Sequence, residues 1–344
     1  MKQVALTGER RAELIEVPEP QPLDDWVVVK VTVAPMCTEY KGWLGGWQTQ
    51  NLGHEAVGEV AAVARPGRHK VGDRVVVMPQ YPCGRCALCV AGDYIHCEHC
   101  VDVAAYTGSP WGTATYAQYV IKPDWICVPI PDDLSDEQAG LALCALGPSM
   151  GAFDGTGASA GCGVGAFDTV LVTGLGPVGL GGVVNAVYRG ARVIAVESNP
   201  YRANLARELG AETVLDPRDE DLPGQVRALT AGRGADVGLD CSGSPQAHRL
   251  LIDAARRRGT VVFVGESGGD TVLHVSPDLI RKGLSVKGSW HYNLNLYPKI
   301  VEVVRHSPVA GKLITHTFGM SAITEAFETL AGQQTGKVLL KPWE

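Results

Sequence analysis

Four cysteines crowd into one short stretch: Cys83-Gly84-Arg85-Cys86-Ala87-Leu88-Cys89, then seven residues, then Cys97. Thiolates at two-residue gaps can converge on one tetrahedral ion, and Zn²⁺ prefers that geometry. Four thiolates leave no open position for a substrate, so the spacing predicts a structural site that holds a lobe too small to bury a core of its own. Two disulfides or four free thiols are the alternative. The N-terminus, Met1-Lys2-Gln3-Val4-Ala5-Leu6-Thr7-Gly8-Glu9, turns charged too soon for a signal peptide. A cysteine cluster in a chain not marked for secretion more often binds metal. Outside the cluster, Cys100, Cys127, Cys162 and Cys241 read most simply as free, small, mostly buried thiols.

The length of 344 residues is that of about two domains. A formal net charge of −7 argues against nucleic acid or an anionic membrane surface as the main partner. The longest apolar stretch, near 139–153, is broken by Gly and Pro and falls short of the ~18 residues of a spanning helix. The expectation is a cytoplasmic protein with neither a nucleic-acid nor a membrane partner.

Up to about residue 130 the pattern is β-rich. Short β-branched runs at 27–33, 58–63, 74–78 and 116–121 are punctuated by turn residues such as Val71-Gly72-Asp73. Ser135-Asp136-Glu137-Gln138 is a capping box ahead of an apolar run. From Asp168 the pattern becomes alternating: strand 169–173, helix 177–188, strand 192–196, then a helix capped by Asn199-Pro200 and stopped at Gly210. Strands recur at 213–215, 236–240, 260–264 and 284–287, which predicts a parallel sheet with helices on both faces. Two further helical patterns and a strand at 337–340 close the chain and are expected to return to the first domain. A Gly/Ala-rich stretch at 155–165 precedes the first strand of the alternating half.

Gly174-Leu175-Gly176-Pro177-Val178-Gly179 lies between an expected strand and an expected helix. Its glycines suit a tight turn, close approach to a pyrophosphate and close helix–strand packing, with the phosphate on the helix N-terminus. Glu197 ends the next strand, about 20 residues on, where a carboxylate accepts from both ribose hydroxyls and repels a 2′-phosphate. NAD is favoured over NADP, and Arg202, able to meet a phosphate, keeps NADP open. Cys241-Ser242 and Val264-Gly265 follow later strands and should line the same crevice.

Gly53-His54-Glu55 follows a Gly-rich loop, with Cys37 and Cys144 on either side of it in the chain. Two thiolates and an imidazole plus water would leave the open position that catalytic zinc needs.

Together these motifs make the chain resemble a zinc-dependent member of the medium-chain dehydrogenase/reductase superfamily, which holds the alcohol, sorbitol and threonine dehydrogenases. The carriers are Cys37, Gly53-His54-Glu55, Val71-Gly72-Asp73-Arg74-Val75, the Cys83/Cys86/Cys89/Cys97 lobe, the Gly174–Gly179 loop and Glu197. The resemblance implies an α/β chain of two parts: a GroES-like β-rich catalytic domain at 1–150, carrying the 83–97 lobe, and a Rossmann doubly wound domain at 151–290. Residues 291–344 would return to the catalytic domain. It further implies two Zn²⁺ per chain, NAD, and a homotetramer or homodimer. Cys37 and His54 match the first two catalytic-zinc ligands, and Glu55 an acidic neighbour of the metal. Cys144 stands where alcohol dehydrogenases have Cys and sorbitol dehydrogenases Glu, so either Cys144 or Glu55 could be the standing third ligand.

The chain departs from the family pattern at Cys37-Thr38-Glu39-Tyr40, where an intervening Gly is missing and Thr38 becomes the candidate proton relay. The expected reaction is reversible NAD-linked oxidation of a secondary alcohol to a ketone. Trp43, Trp47 and Trp290-His291-Tyr292 are candidate pocket residues that suit a polyol, cyclitol or sugar. A small-alcohol or aldehyde reductase, a threonine-like amino-alcohol dehydrogenase and a non-catalytic NAD-binding sensor are the alternatives.

Overall fold

A computed structural model gives the fold, and the residues it describes are 1–156 and 161–344. Part of the Gly/Ala-rich stretch, residues 157–160, lies outside them. The chain divides into two units: residues 1–143 with 314–344, and residues 144–313.

The first unit is built on strand Trp26–Met36, buried on both faces except at Lys30 and Thr32. It pairs antiparallel with Ala56–Val63, Tyr119–Pro123 and Lys337–Lys341. Arg74–Val77 and Cys127–Pro129 extend the sheet on one side, and Ile314–Gly319 on the other. A second sheet pairs Lys2–Gly8 with Arg11–Glu16 and Gln48–Thr49. The capping box forms as its sequence requires: Ser135 Oγ accepts from the Gln138 amide, and the Gln138 side chain accepts from the Ser135 amide.

Residues 314–344 join this unit because their apolar side chains complete its core. Met320, Ile323, Ala326, Phe327, Leu330, Val338 and Leu340 pack with Val29, Val31, Met36 and Val60. Each large aliphatic or aromatic side chain so buried contributes about 1.5–3 kcal/mol. The observed cuts, at 143/144 and 313/314, differ from the expected ones at 150/151 and 290/291. Helix Tyr297–His306 and the turn Ala310–Leu313 stay with the second unit, where that turn packs on helix Pro177–Tyr188.

The second unit is a six-stranded parallel sheet in the order Thr213–Leu215, Arg192–Val196, Thr169–Thr173, Ala235–Asp240, Ala255–Phe263, Ser285–Gly288. Strand order reverses at Thr169–Thr173, which places a topological switch point at its carboxyl end. Asn199 caps its helix, its side chain accepting from the Tyr201 and Arg202 amides. Among the described residues Thr213–Leu215 and Ser285–Gly288 are the two edges of the sheet. Among the described residues no helix is long and apolar enough to cross a membrane.

Candidate functional site

The four lobe cysteines come together as their spacing suggests. The sulfurs of Cys83, Cys86, Cys89 and Cys97 all lie within 4.8 Å of one another. Helix Ala87–Val90 carries Cys89, and the turn Tyr94–His96 delivers Cys97. Backbone amides point at the sulfurs: Cys83 N donates to Cys97 Sγ at 3.2 Å, and His99 N donates to the same sulfur at 3.4 Å. The Cys89 amide, with other neighbours, holds the Cys86 thiol down at about 6. Gly84 takes φ +71° in the first turn, where a Cβ would lie 2.9 Å from Trp125 Nε1. Zinc–sulfur bonds of ~2.3 Å in a tetrahedron require sulfurs about 3.8 Å apart. A four-thiol set of this spread fits that ion.

A second cluster joins Cys37, His54, Glu55 and Cys144, whose ligand atoms also lie within 4.8 Å of one another. Cys144 is peptide-bonded to Leu143, the residue at which the first unit's main stretch ends. His54 Nδ1 donates to Glu39 Oε1 at 2.7 Å, so its Nε2 is the nitrogen left toward the cluster, 3.8 Å from Glu55 Oε1. Glu39 also accepts from the Cys37 amide at 3.1 Å and from the Tyr116 hydroxyl at 2.8 Å. Burial pushes the Glu39 carboxyl up, but the hydrogen bond and charge of His54 outweigh it and hold it at about 2. Burial likewise lowers His54, while Cys37, Glu39 and Glu55 raise it to about 11. The site therefore favours positive charge, as a dication bound by thiolate and imidazole requires. Glu55 is also engaged by Lys337: the same Oε1 accepts from Lys337 Nζ at 2.6 Å.

Glu39 is the site residue that sequence reasoning missed. Its signal was an acidic residue two positions after Cys37, read there only as a departure from the family pattern. Thr38, one residue from Cys37, is exposed at the start of helix Glu39–Leu44. Trp43 lies in the core rather than in a pocket, stacked on Phe327 at 5.7 Å and 1% exposed. Helix Glu39–Leu44 turns Trp43 inward, against helix Ile323–Ala331. Trp47 is exposed and lines a pocket of about 460 Å³ with Glu39, Gln48, Thr49, Asn51 and His54. In the second unit Trp290 is exposed, while His291 and Tyr292 are buried and stacked at 4.6 Å.

The glycine loop occupies the switch point. Gly174 takes φ +79°, and a Cβ there would fall 2.7 Å from Ser242 Cβ. Gly176 has nothing within 4 Å of an added Cβ, the open approach that a pyrophosphate needs. At Gly179 a Cβ would meet the Gly174 carbonyl at 1.9 Å, so only glycine lets the helix sit this close to the strand. Pro177 and Val178 open helix Pro177–Tyr188, whose first amides face the loop. Glu197 accepts from the Leu175 amide at 2.8 Å and from the Asn199 amide at 2.9 Å. Arg202 follows in the first turn of the next helix.

Ser242 and Gly265 are gathered by a residue that the sequence did not single out, Asp240. Fully buried, it accepts from Thr173 Oγ1 at 3.0 Å, Ser242 Oγ at 2.7 Å, the Gly243 amide at 3.0 Å and His248 Nε2 at 3.1 Å. A Cβ at Gly265 would lie 2.8 Å from its carboxylate. Cys241 follows Asp240 at the same strand end, and Val264 donates its amide to the Asp240 carbonyl at 3.0 Å. Through its buried carboxylate and its backbone carbonyl, Asp240 thus ties together the ends of three adjacent strands.

Comparison with known proteins agrees with this geometry. Residues 23–132 match the family description "Alcohol dehydrogenase GroES-like domain", and residues 177–306 match "Zinc-binding dehydrogenase". The L-threonine 3-dehydrogenase of Chromobacterium violaceum is 29% identical over 342 residues, covering 95% of each chain. The structure of 2R,3R-butanediol dehydrogenase from Bacillus subtilis superposes with a TM-score of 0.83 at 26% identity, over 99% of each chain. An enzyme of E. coli CFT073, described as a short chain alcohol dehydrogenase and solved with NADH, gives a TM-score of 0.81 at 26% identity, over 99% of each chain. With an alcohol dehydrogenase GroES-like segment, a zinc-binding dehydrogenase segment and a doubly wound parallel sheet, this chain belongs to the zinc-dependent medium-chain alcohol dehydrogenase superfamily.

Proposed function

We propose that this chain catalyses reversible NAD-linked oxidation of a secondary alcohol that carries a neighbouring hydroxyl, as polyols, cyclitols and sugars do. The observation that carries the reading is the cluster of Cys37, His54 and Cys144, with His54 turned by Glu39. Two thiolates and one imidazole suit a catalytic zinc with one position left for substrate. Zinc bound there would supply Lewis acidity, lowering the alcohol's pKa, and NAD would accept the hydride.

The rest is the work of this chain's own residues. Glu39 fixes the His54 ring and tautomer, so that Nε2 presents its lone pair. Glu55, held by Lys337, contributes negative charge beside the cluster and leaves Cys144 as the third ligand. Thr38, exposed next to Cys37, takes the alcohol proton and hands it to solvent. Trp47 covers the apolar face of the substrate, and Gln48, Thr49 and Asn51 hydrogen-bond its further hydroxyls. Gly174, Gly176 and Gly179 admit the pyrophosphate, and Glu197 accepts from the ribose hydroxyls. Cys83, Cys86, Cys89 and Cys97 hold a second, structural zinc. The edge strand Ser285–Gly288 is the surface we assign to a homo-oligomer, since such an edge tends to find a partner.

An amino-alcohol substrate is the second reading, favoured by the name of the C. violaceum relative. A screen of NAD reduction by the zinc-loaded protein over polyols, cyclitols, sugars, threonine and simple alkanols tests both. Turnover highest on a polyol or cyclitol is expected. Highest turnover on threonine selects the second reading, and highest turnover on alkanols overturns both.

A further inference from the structure

A fifth thiol stands against the four-cysteine lobe. Cys100 is exposed, and its Sγ lies 3.7 Å from the Cys97 carbonyl oxygen. Glu98 and His99 form a turn, so Cys97 and Cys100 are its first and fourth residues. Such a turn holds its end Cα atoms within about 7 Å, overlapping the ~4.4–6.8 Å at which a disulfide closes. Cys97 Sγ takes the Cys83 and His99 amides, and Cys97 lies at the end of the lobe sequence. We propose that Cys97 and Cys100 form a redox switch on the structural-zinc lobe: oxidation by a peroxide joins them and releases the ion.

The step balances as follows. Cys100 Sγ attacks one peroxide oxygen, the O–O bond breaks, and a sulfenic acid forms as hydroxide leaves. Cys97 Sγ attacks the sulfenic sulfur, the S–S bond forms, and a second hydroxide leaves. Two thiolates are oxidised by two electrons, and the peroxide is reduced to two hydroxides, protonated to water. The lobe is left with the three thiolates of Cys83, Cys86 and Cys89, one short of a closed tetrahedral site. Cys100 is the entry point because it is exposed, whereas thiolates shared with a cation are weaker nucleophiles. A small thiol reverses the bridge by exchange.

This inference rests on the assignment of zinc to the lobe, which metal content before oxidation reports separately. The experiment treats the zinc-loaded protein and its Cys100→Ser and Cys100→Ala variants with hydrogen peroxide. A chromogenic chelator follows zinc release, and mass spectrometry maps the bridges. Zinc from the second cluster is common to all three proteins, so the difference between them reads the lobe. The expected result is a Cys97–Cys100 bridge, a matching loss of lobe zinc in the wild type, and no such loss in either variant over the same time. Release from the variants at the wild-type rate, or bridges confined to Cys83, Cys86, Cys89 and Cys97, would overturn the switch. A wild type that carries no lobe zinc at the outset overturns the zinc assignment, and with it the release step.

Discussion

Lys337 Nζ and Glu55 Oε1 meet at 2.6 Å across 282 residues of sequence, and both side chains are fully buried. Their strands belong to one sheet, Lys337 on the strand that pairs with Trp26–Met36 and Glu55 just before Ala56–Val63. The pair ties the closing strand of the chain to the edge of the candidate reactive cluster.

Removing one partner should therefore be felt twice. Lys337→Met leaves Glu55 buried and uncompensated, which costs about 3–5 kcal/mol when a buried pair is broken. It also frees the Glu55 carboxylate to turn toward the metal. Denaturant unfolding should show the loss, and Lys337→Met with Glu55→Gln should recover part of it. A single variant as stable as the wild type contradicts the account.

Glu39 should set metal affinity through His54. It is held by three donors, from His54, Cys37 and Tyr116. Glu39→Ala should weaken zinc at the reactive cluster about 10–100-fold, the usual effect of losing a partner that orients a ligating histidine. Glu39→Gln, which can still accept from His54, should lose less. Competition with a chelator of known affinity measures this directly, with the lobe zinc as internal control.

The two Glu39 variants also mark where the sequence stops being legible. Local signals placed most strands of the alternating half and its first helices within a residue or so, because caps and glycines announce them, as at Asn199 and Gly210, although strand Ala255–Phe263 starts five residues before its expected 260. The ligand residues were legible because Cys and His are scarce and chemically specific. Glu39 and Asp240 were not, since their roles come from donors that converge only in the fold, such as Tyr116 and His248. For the same reason Trp43 read as a pocket residue. A tryptophan on a six-residue helix does not say which face is inward until Phe327 packs on it from far along the chain. The unit boundaries shifted likewise, because what assigns 314–344 to the first unit is a shared apolar core rather than any local break.

Glu197 should decide between the two nicotinamide cofactors. Its carboxylate is already bound by the Leu175 and Asn199 amides, which fixes it beside the glycine loop. A 2′-phosphate brought there meets like charge. Glu197→Ala should raise the KM for NAD and narrow the preference over NADP. Part of the KM effect will come from the loop amide that loses its acceptor, so Glu197→Gln, which keeps an acceptor without the charge, separates the two causes. A wild type that prefers NADP removes the premise.

The third ligand of the reactive cluster gives the sharpest test. Cys144 and Glu55 both offer an atom within the 4.8 Å group, and Glu55 is committed to a buried cation, Lys337. Turning its carboxylate fully to zinc would strip Lys337 of its partner, a loss comparable to breaking the pair by mutation. A Cys144 thiolate beside Cys37 and His54 completes a known catalytic set. Cys144→Ala should therefore abolish turnover and lose the reactive zinc while the lobe zinc stays, and His54→Ala should do the same. Glu55→Gln is the fair comparison, because it still accepts from Lys337 where Glu55→Ala would strand it. That variant should keep both metals and turn over more slowly. X-ray absorption on the Cys86→Ser protein, stripped of lobe zinc, should find two sulfur ligands at ~2.3 Å in the remaining site. One sulfur, with a carboxylate oxygen at ~2.0–2.2 Å, would make Glu55 the standing ligand instead.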